Sequence, residues 1–324
     1  MAQDAEMIAD RRRVRRKLSF WRVVSIVALV GVVVVLGLRW IGPPESISPR
    51  QPHIARVEIS GVITSDRRMA DMLDEIGKSR AVRGVVLAIN SPGGTTSGAE
   101  ELHRNLRRLA AEKPMVAYVN GTAASGAYIA AIASDHIVAQ ETAIVGSIGT
   151  MFQMPHVREL LDSIGVSMIE VKSSPLKAEP SPTGPIAPEA IDAIRELVDD
   201  SYIWFRDLVG DRRPLSEAER DAVADGRVHS GRRALELKLV DALGDQRDAV
   251  AWLEATHDLP EDLAIRTWRP TTDRRALGLL SGAAWLADMA GWESAGGLLR
   301  RVDSQVSRVE LDGLLAIWQP KLEN

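Results

Sequence analysis

The sequence contains no cysteine. Structural disulfides, zinc sites built on thiolates and cysteine nucleophiles are therefore excluded, and any covalent catalysis must use another side chain. Lysine is also scarce, since seven lysines stand against 33 arginines. Because arginine does not give up its proton in a protein, the few lysines include the positions at which a basic side chain can act in proton transfer.

A strong charge of either sign is absent as well. The formal net charge is −4, so nothing in the charge balance indicates nucleic acid as a partner. No internal repeat or low-complexity tract is present. A chain of 324 residues with 45% hydrophobic content can bury a sizeable core, and its length is typical of one or two domains.

The N-terminal part of the sequence combines a basic tail with an apolar run. Residues 1–22 are polar and basic and form the predicted cytoplasmic tail. Residues 23–40 form the predicted transmembrane anchor, whose apolar run is flanked by Trp21 and Trp40. The run is a little short for a hydrocarbon core of about 30 Å, but the flanking arginines can reach outward and the two tryptophans suit the interfaces.

Two alternatives to an anchor are open. A cleaved signal peptide also has a basic start and an apolar stretch, although residues 39–44 lack a small-x-small cleavage site. A buried soluble helix usually shows a polar stripe, which this run lacks. The anchor is favoured, and the basic flank then places the tail in the cytoplasm and residues 45–324 outside.

The rest of the chain divides by pattern. Residues 41–51 form the predicted linker, and residues 52–268 alternate strand and helix patterns, which predicts an α/β domain with largely parallel pairing. Residues 269–324 are predicted to form a helical C-terminal extension that packs on its own domain, on a neighbouring subunit or on a membrane surface. The predicted strands are 53–63, 84–89, 115–119, 136–138 and 167–171, and the predicted helices are 65–79, 97–112, 125–133, 156–164 and 188–209.

Three segments follow apolar strands, where α/β proteins place their sites. The first, residues 90–94, reads Asn-Ser-Pro-Gly-Gly and is interpreted as a loop. Two glycines free its backbone to aim N–H groups at one point, as an oxyanion hole requires. An ordinary turn has the same composition, so this motif alone leaves both interpretations open.

The second segment, residues 120–128, contains Ser125 among small residues at the predicted start of a helix. A substrate could approach such a serine closely, and the Gly126 N–H and the helix dipole would favour a nearby oxyanion. Serine is also a good N-cap residue, and a capping serine needs no catalytic role. The residues leave nucleophile and cap as alternatives.

The third segment, residues 172–182, is a Pro- and Ser-rich loop with two of the seven lysines, Lys172 and Lys177. A nucleophilic serine requires a base. None of the six histidines has a catalytic context in the sequence, and each is better explained as structural or solvated. A lysine near apolar groups loses its proton more readily and can act as the base, although a single lysine is usually a surface residue.

Taken together, these segments resemble the signal peptide peptidase A family of self-compartmentalising serine proteases, over roughly residues 52–250. Five motifs in the same order and at compatible spacing carry the resemblance. They are Ser-Pro-Gly-Gly at 91–94, Ala-Ser-Gly with a following aromatic residue at 124–128, Gly-Ser-Ile-Gly at 146–149, Lys-Ser-x-x-x-Lys at 172–177 with Ser-Pro at 181–182, and Gly-Arg-Val with Leu-Val-Asp at 226–228 and 239–241.

The resemblance implies a ClpP/crotonase-like core of repeated ββα units and a Ser–Lys dyad. Ser125 would be the nucleophile and Lys177 the general base, with Lys172 as the second candidate base. The N–H groups of Gly94 and Gly126 would hold the oxyanion, and Ser147 would orient the lysine. The family also implies a homo-oligomeric ring or dome in which the serine and the lysine come from neighbouring subunits, with no cofactor or metal.

The expected function is that of a membrane-anchored serine endopeptidase cutting apolar peptides such as cleaved signal peptides, on the extracytoplasmic side of a bacterial inner membrane. Its expected partners are the peptide substrate, membrane lipid around the N-terminal helix and further copies of the chain, but no nucleic acid. The alternatives are a non-catalytic scaffold of the same fold, a stomatin-associated membrane-bound protease, and a crotonase-type acyl-CoA enzyme, which would use an acidic residue. The sequence departs from the family pattern at Ala127, Pro175, Pro180 and Lys238.

Overall fold

The computed structural model describes residues 51–270, Trp21 and the short segment 314–317. The predicted tail apart from Trp21, the predicted anchor, the linker up to residue 50 and most of the predicted C-terminal extension lie outside the described residues. Within the part of the chain that is described, no helix has the length and apolarity needed to cross a membrane. Residues Pro52–Asn324 form one of two units of the chain, and the sheet belongs to that unit.

Ten strands of the described residues form one sheet. The strands are β1 (His53–Ile63), β2 (Val82–Thr95), β3 (Met115–Ala124), β4 (His136–Ala139), β5 (Ile144–Gly146), β6 (Met151–Phe152), β7 (Val228–Ser230), β8 (Ala242–Leu243), β9 (Ala264–Trp268) and β10 (Leu314–Ile317). Six of them pair in parallel in the order β9-β1-β2-β3-β4-β8. β5 adds a further parallel pairing to the end of β3, whereas β7 and β10 pair antiparallel with their neighbours. The predicted α/β class with largely parallel pairing is confirmed.

Helices connect these strands and cover both faces of the sheet. They are α1 (Arg67–Lys78), α2 (Thr96–Glu112), α3 (Gly126–Ala131), α4 (Arg158–Ser163), α5 (Pro188–Arg212), α6 (Glu217–Val223), α7 (Gly231–Glu236) and α8 (Gln246–His257). Thr95, the last residue of β2, caps α2 by accepting a hydrogen bond from the Gly98 N–H at 3.1 Å. The chain therefore passes from β2 into α2 with no intervening loop.

The core lies on both faces of the central strands. Leu87 and Ile89 of β2 are fully buried in the larger cluster, with side chains of α1, α2, α3 and α5. Val86, the residue before Leu87, is buried in a second cluster with Ala249 and Leu253 of α8. Because successive side chains of a strand point to opposite faces, a continuous apolar run such as that of β2 is buried on both sides.

Two of the predicted loops are strand ends. β2 was predicted to end at residue 89 but runs through the Ser-Pro-Gly-Gly motif to Thr95, and β3 continues beyond its predicted end to Ala124. β2 is extended by pairing with β1, since Val62 and Ile63 lie opposite Gly93 and Gly94. β3 is extended by pairing with β5. A Cβ atom at Gly94 would lie 1.7 Å from the carbonyl oxygen of Ile63, so only glycine permits this close approach.

Two other predictions about elements are wrong. Residues 167–171, predicted as a strand, have no regular structure, and Ile169 and Val171 are 89% and 97% exposed. No described strand pairs with this segment, so its backbone has no ladder to join. Residues 314–317, predicted as part of a helical extension, form β10 because the ends of β2 and β6 offer backbone partners.

Candidate functional site

Ser125 lies at the junction of β3 and α3, and its backbone is strained. Its φ of 55° and ψ of −120° fall in a region that residues with a side chain rarely adopt. The Ser125 N–H donates to the carbonyl of Gly146 at 2.7 Å, which holds the turn in place. The hydroxyl makes no capping hydrogen bond to α3. Helix capping is therefore not the reason for this serine, and its hydroxyl is available for other chemistry.

The two candidate oxyanion donors lie at the carboxyl ends of neighbouring strands. Gly126 is the first residue of α3, so its N–H has no acceptor within the helix. Gly94 lies near the end of β2, which is joined to β3 through the pairing of Ser91 with Ala123. N–H groups at such strand ends can converge on the space in front of a nucleophile.

The serine of the Ser-Pro-Gly-Gly motif shapes this strand end. Ser91 is fully buried, and its hydroxyl donates to the carbonyl of Gly61 at 2.6 Å. The same oxygen accepts a hydrogen bond from the Gly93 N–H at 3.1 Å. Gly93 has a φ of 100°, which is unstrained only for glycine. Ser91 therefore fixes the backbone that presents Gly94 and is a structural residue.

The Gly-Ser-Ile-Gly segment lies directly beside Ser125. The carbonyl of Gly146 accepts the Ser125 N–H, and the next residue, Ser147, also has a positive φ of 52°. The Ser147 N–H donates to the carbonyl of Arg227 at 2.8 Å, so the Gly-Arg-Val motif supports this second strained turn. The Ser147 side chain is half-buried next to Gly146.

Lys177 lies on a largely exposed segment, residues 157–187, which we name the lysine arm. Its side chain is exposed, and among the described residues its ammonium group makes no hydrogen bond or ion pair. Ser125, by contrast, is 1% exposed. Within the described part of one chain, no hydrogen bond joins Lys177 to Ser125 or Ser147, so the structure does not bring the two members of the predicted dyad together.

Lys172, the second candidate base, is held by two carboxylates. Its Nζ donates to Glu170 and to Glu179, each at 2.5 Å. The hydrogen bond to Glu170, followed by that to Glu179, raises the pKa of Lys172 above its ordinary value. The same contacts lower the pKa values of both carboxyl groups. Lys172 therefore remains protonated at neutral pH and is unsuited to accept a proton.

The base of the lysine arm is closed by further hydrogen bonds, while its surface is apolar. The Ser181 hydroxyl donates to Glu170 at 2.7 Å, and the Val157 N–H donates to the carbonyl of Pro182 at 2.9 Å. Many exposed large apolar side chains on one segment are typical of an interaction site. The exposed large apolar residues of the arm are Leu160, Ile164, Val166, Met168, Ile169, Val171, Leu176 and Ile186.

Five of the six histidines have other roles, and one lies beside the site. His53 stacks on Trp268, His103 bonds the Ile129 carbonyl, His136 stacks on Trp252, His156 bonds the Gly184 carbonyl and His257 meets the edge of Trp252. His229 lies in β7 with its ring against Gly146, and its Nε2 is buried without a partner in the described structure. Burial lowers the pKa of His229, so this ring is neutral at neutral pH.

A buried network behind α3 was not predicted from the sequence. The hydroxyl of Tyr128 donates to the carbonyl of Leu239 at 2.9 Å, and burial raises its pKa, so it stays a donor. Arg213 donates to both carboxylate oxygens of Asp241, at 2.8 and 3.0 Å, and to the carbonyl of Lys238 at 2.7 Å. The Leu-Val-Asp motif therefore anchors α3 and the end of α5. The sequence shows the Leu-Val-Asp motif and its spacing, but it does not indicate that Arg213 is the partner of Asp241.

Replacing Asp241 by asparagine should lower the free energy of unfolding by about 3 kcal/mol, because the Arg213 charge, whose side chain is 6% exposed, would lose its anionic partner. Urea denaturation of the full chain, followed by tryptophan fluorescence, measures the change. Glu141→Gln is the matched control, since Glu141 pairs with Arg232 on the surface and should cost less than about 1 kcal/mol. Equal losses in the two variants would contradict the assigned role of the network.

Comparison with known proteins matches this chain to a peptidase family and to several proteases. The model of Peptidase family S49 matches residues 107–260, a range that contains both Ser125 and Lys177. A candidate protease of Synechocystis sp. is 34% identical over 220 residues, covering 68% of this chain and 79% of that protein. A candidate protease of Methanocaldococcus jannaschii is 35% identical over 210 residues, covering 65% of this chain and 64% of its own. Protease 4 of Salmonella typhi is 38% identical over 171 residues, 52% of this chain and 28% of that protein.

Among solved structures, a mutant form of ClpP1 from Listeria monocytogenes aligns with 60% of this chain and 94% of its own, with a TM-score of 0.42 and 14% identity. A likeness at this level carries no information about activity. The chain thus matches proteases over its α/β domain, and spans less than two thirds of the M. jannaschii relative and less than a third of Protease 4.

Proposed function

Because the chain belongs to peptidase family S49, we propose that it is a serine endopeptidase in which Ser125 is the nucleophile and Lys177 the general base. The observation that carries the proposal is the strained, uncapped Ser125 between β3 and α3. A residue held in such a backbone, whose hydroxyl serves no cap, is typical of a nucleophile presented on a sharp turn. We also propose a ClpP/crotonase-like core, supported by parallel strands that end at the site.

The proposed reaction is acyl transfer to serine. Lys177 Nζ accepts the Ser125 hydroxyl proton as the oxygen attacks the scissile carbonyl, and the N–H groups of Gly94 and Gly126 stabilise the oxyanion. The lysine then gives the proton to the leaving amine, and it activates the water that hydrolyses the acyl-enzyme. Each oxyanion donor is worth about 10²- to 10³-fold in kcat. Ser147 is proposed as a positioning residue for the lysine.

We propose that the lysine of each site comes from a neighbouring subunit of a homo-oligomer. The support is the exposed position of Lys177 on the lysine arm, together with the apolar side chains around it. An arm that covers the serine of the next copy would bury those side chains and shield the ammonium group from water. A heterologous contact of this kind, repeated around an axis, closes a ring.

The proposed substrates are apolar peptides such as cleaved signal peptides, and the proposed location is a bacterial inner membrane with the catalytic domain outside the cytoplasm. Support for the anchor comes from the sequence alone, from residues 23–40 and their basic flank. A stomatin-associated membrane protease would use the same dyad. A non-catalytic scaffold is less well supported, because both Ser125 and Lys177 are present.

Arginine substitutions in the lysine arm test the proposed base. Lys177→Arg keeps the cation but cannot accept the proton, so kcat for an apolar fluorogenic peptide should fall by about 10²- to 10⁴-fold. Lys172→Arg is the matched control in the same loop, since arginine can keep the ion pairs with Glu170 and Glu179 and should retain most of the activity. The full chain in detergent is the appropriate sample.

His229→Gln is a further variant to assay in this experiment. His229 is the histidine beside Gly146, and its unpartnered Nε2 makes it the alternative base within one chain. The proposal expects this variant to keep most of the activity. Loss of activity in His229→Gln with normal turnover in Lys177→Arg would instead assign the base to the histidine.

A further inference from the structure

The strand β10 pairs with β2, which carries Gly94, and with β6, which follows the Gly-Ser-Ile-Gly segment. It runs antiparallel to the end of β2, with Ala316 opposite Gly94 and Leu315 opposite Thr95. On its other side it runs antiparallel to β6, with Leu315 opposite Met151. Residues 314–317 therefore fill a gap between two strands that would otherwise each present an unpaired edge.

The edge of β2 that β10 uses is the one that faces the nucleophile. At Gly93 and Gly94, the other edge of β2 is occupied by the end of β1. β10 therefore uses the same edge of β2 as β3 does. β3 pairs with this edge as far as Ser91, opposite Ala123, and β10 pairs with it from Gly93 onward. β3 ends at Ala124 and is followed directly by Ser125, so β10 takes over this edge where β3 turns toward the nucleophile.

A substrate of the proposed peptidase would need the same place. An extended peptide binds a protein by adding a strand to a free edge, with main-chain hydrogen bonds giving affinity. Its scissile carbonyl must lie next to the Gly94 N–H, and that position is opposite Ala316. The sequence of β10, Leu-Leu-Ala-Ile, also has the apolar composition of the proposed substrates. Ser125 is 1% exposed, so a substrate cannot reach it unless something moves.

We propose that residues 314–317 are a built-in competitor for the substrate, occupying the strand position between β2 and β6 until an apolar peptide displaces them. The inference rests on the proposed function, since it names the regulation of that same site. A tethered segment competes at an effective concentration of about 1 mM, so it suppresses weak peptides and admits tight ones. The enzyme would thereby be selective for extended apolar peptides that pair better than its own strand.

The first test measures peptide binding without catalysis. In a Ser125→Ala background, Leu315→Pro removes a backbone donor from a strand that is paired on both sides and should release it. A labelled peptide with the sequence of residues 312–320 should then bind about tenfold or more tightly than it binds the Ser125→Ala chain, by fluorescence polarisation. The same peptide with proline in place of its second leucine is the control ligand, and Leu322→Pro is the control variant outside β10.

The second test uses the lack of cysteine in the chain. Met151 and Leu315 are opposite each other, so a Met151→Cys, Leu315→Cys variant should form a disulfide that holds β10 in place. The oxidised protein should neither bind the peptide nor hydrolyse substrate, and reduction should restore both. This variant keeps the inference testable if Leu315→Pro does not fold.

The outcomes separate the two proposals. Equal peptide affinity with and without Leu315→Pro, or full activity of the oxidised double-cysteine protein, would contradict the proposal that residues 314–317 compete with substrate. If Leu315→Pro binds the peptide more tightly but no form of the chain hydrolyses it, residues 314–317 do compete for the peptide site and the proposed peptidase activity is wrong. With serine present, Leu315→Pro should also raise kcat/KM, and the 312–320 peptide should inhibit it competitively.

Discussion

Replacing Ser125 by alanine should lower kcat for apolar peptides by about 10⁴- to 10⁶-fold while leaving the stability of the chain unchanged. The activity falls because the proposed nucleophile is gone. The stability is kept because the hydroxyl makes no capping hydrogen bond and alanine meets the same backbone strain at a φ of 55°. Turnover of a fluorogenic peptide and thermal unfolding of the same sample measure the two quantities.

Ser91→Ala is the matched control for this variant. Its hydroxyl joins Gly61 to Gly93 and is fully buried, so its removal should cost about 1–3 kcal/mol of stability. A stability loss in Ser125→Ala as large as that in Ser91→Ala would indicate a structural serine. Retained turnover in Ser125→Ala would reject the proposed nucleophile outright. Labelling by a fluorophosphonate, expected in the parent protein and absent in Ser125→Ala, checks the same assignment without a substrate.

The central strands could be predicted because their signals are local. β1 matches the predicted range 53–63, and the buried run of β2 was recognised from its continuous apolar residues. The strand ends at Ser-Pro-Gly-Gly and before Ser125 could not, because proline and glycine are typical of loops. The end of β2 becomes a strand by pairing with the distant segment around Ile63, whose carbonyl leaves no room for a side chain at Gly94. The end of β3 does so by pairing with β5.

In the lysine arm the error is the opposite one, since a strand was predicted where none forms. A short run rich in apolar residues predicts a strand at 167–171, yet the segment is exposed and has no regular structure. The apolar side chains of this segment indicate that it is buried against a partner, but they do not identify that partner. We propose that it is a neighbouring copy of the chain. Similarly, the motif at 172–177 identifies two lysines, but only the carboxylates around Lys172 distinguish an ion-paired residue from a free one.

Mixed oligomers of Ser125→Ala and Lys177→Ala chains should recover about a quarter of the parental activity, although each variant alone is inactive. In a ring where each site takes its serine from one chain and its lysine from the next, half of the chains supply an intact serine. Half of their neighbours supply an intact lysine, and the product of the two fractions is about one quarter. Co-expression in equal amounts, followed by purification of the full-length oligomer, gives the sample to assay.

A second mixture, of the parent chain with the Ser125→Ala, Lys177→Ala double variant, separates the two geometries. Sites shared between subunits again retain about a quarter of the activity, whereas sites completed within one chain retain about half. If the two single variants stay inactive when mixed and the second mixture keeps half, the dyad forms within one chain. The exposed Lys177 must then fold back over the buried Ser125. The apolar surface of the lysine arm would in that case serve to cover its own site.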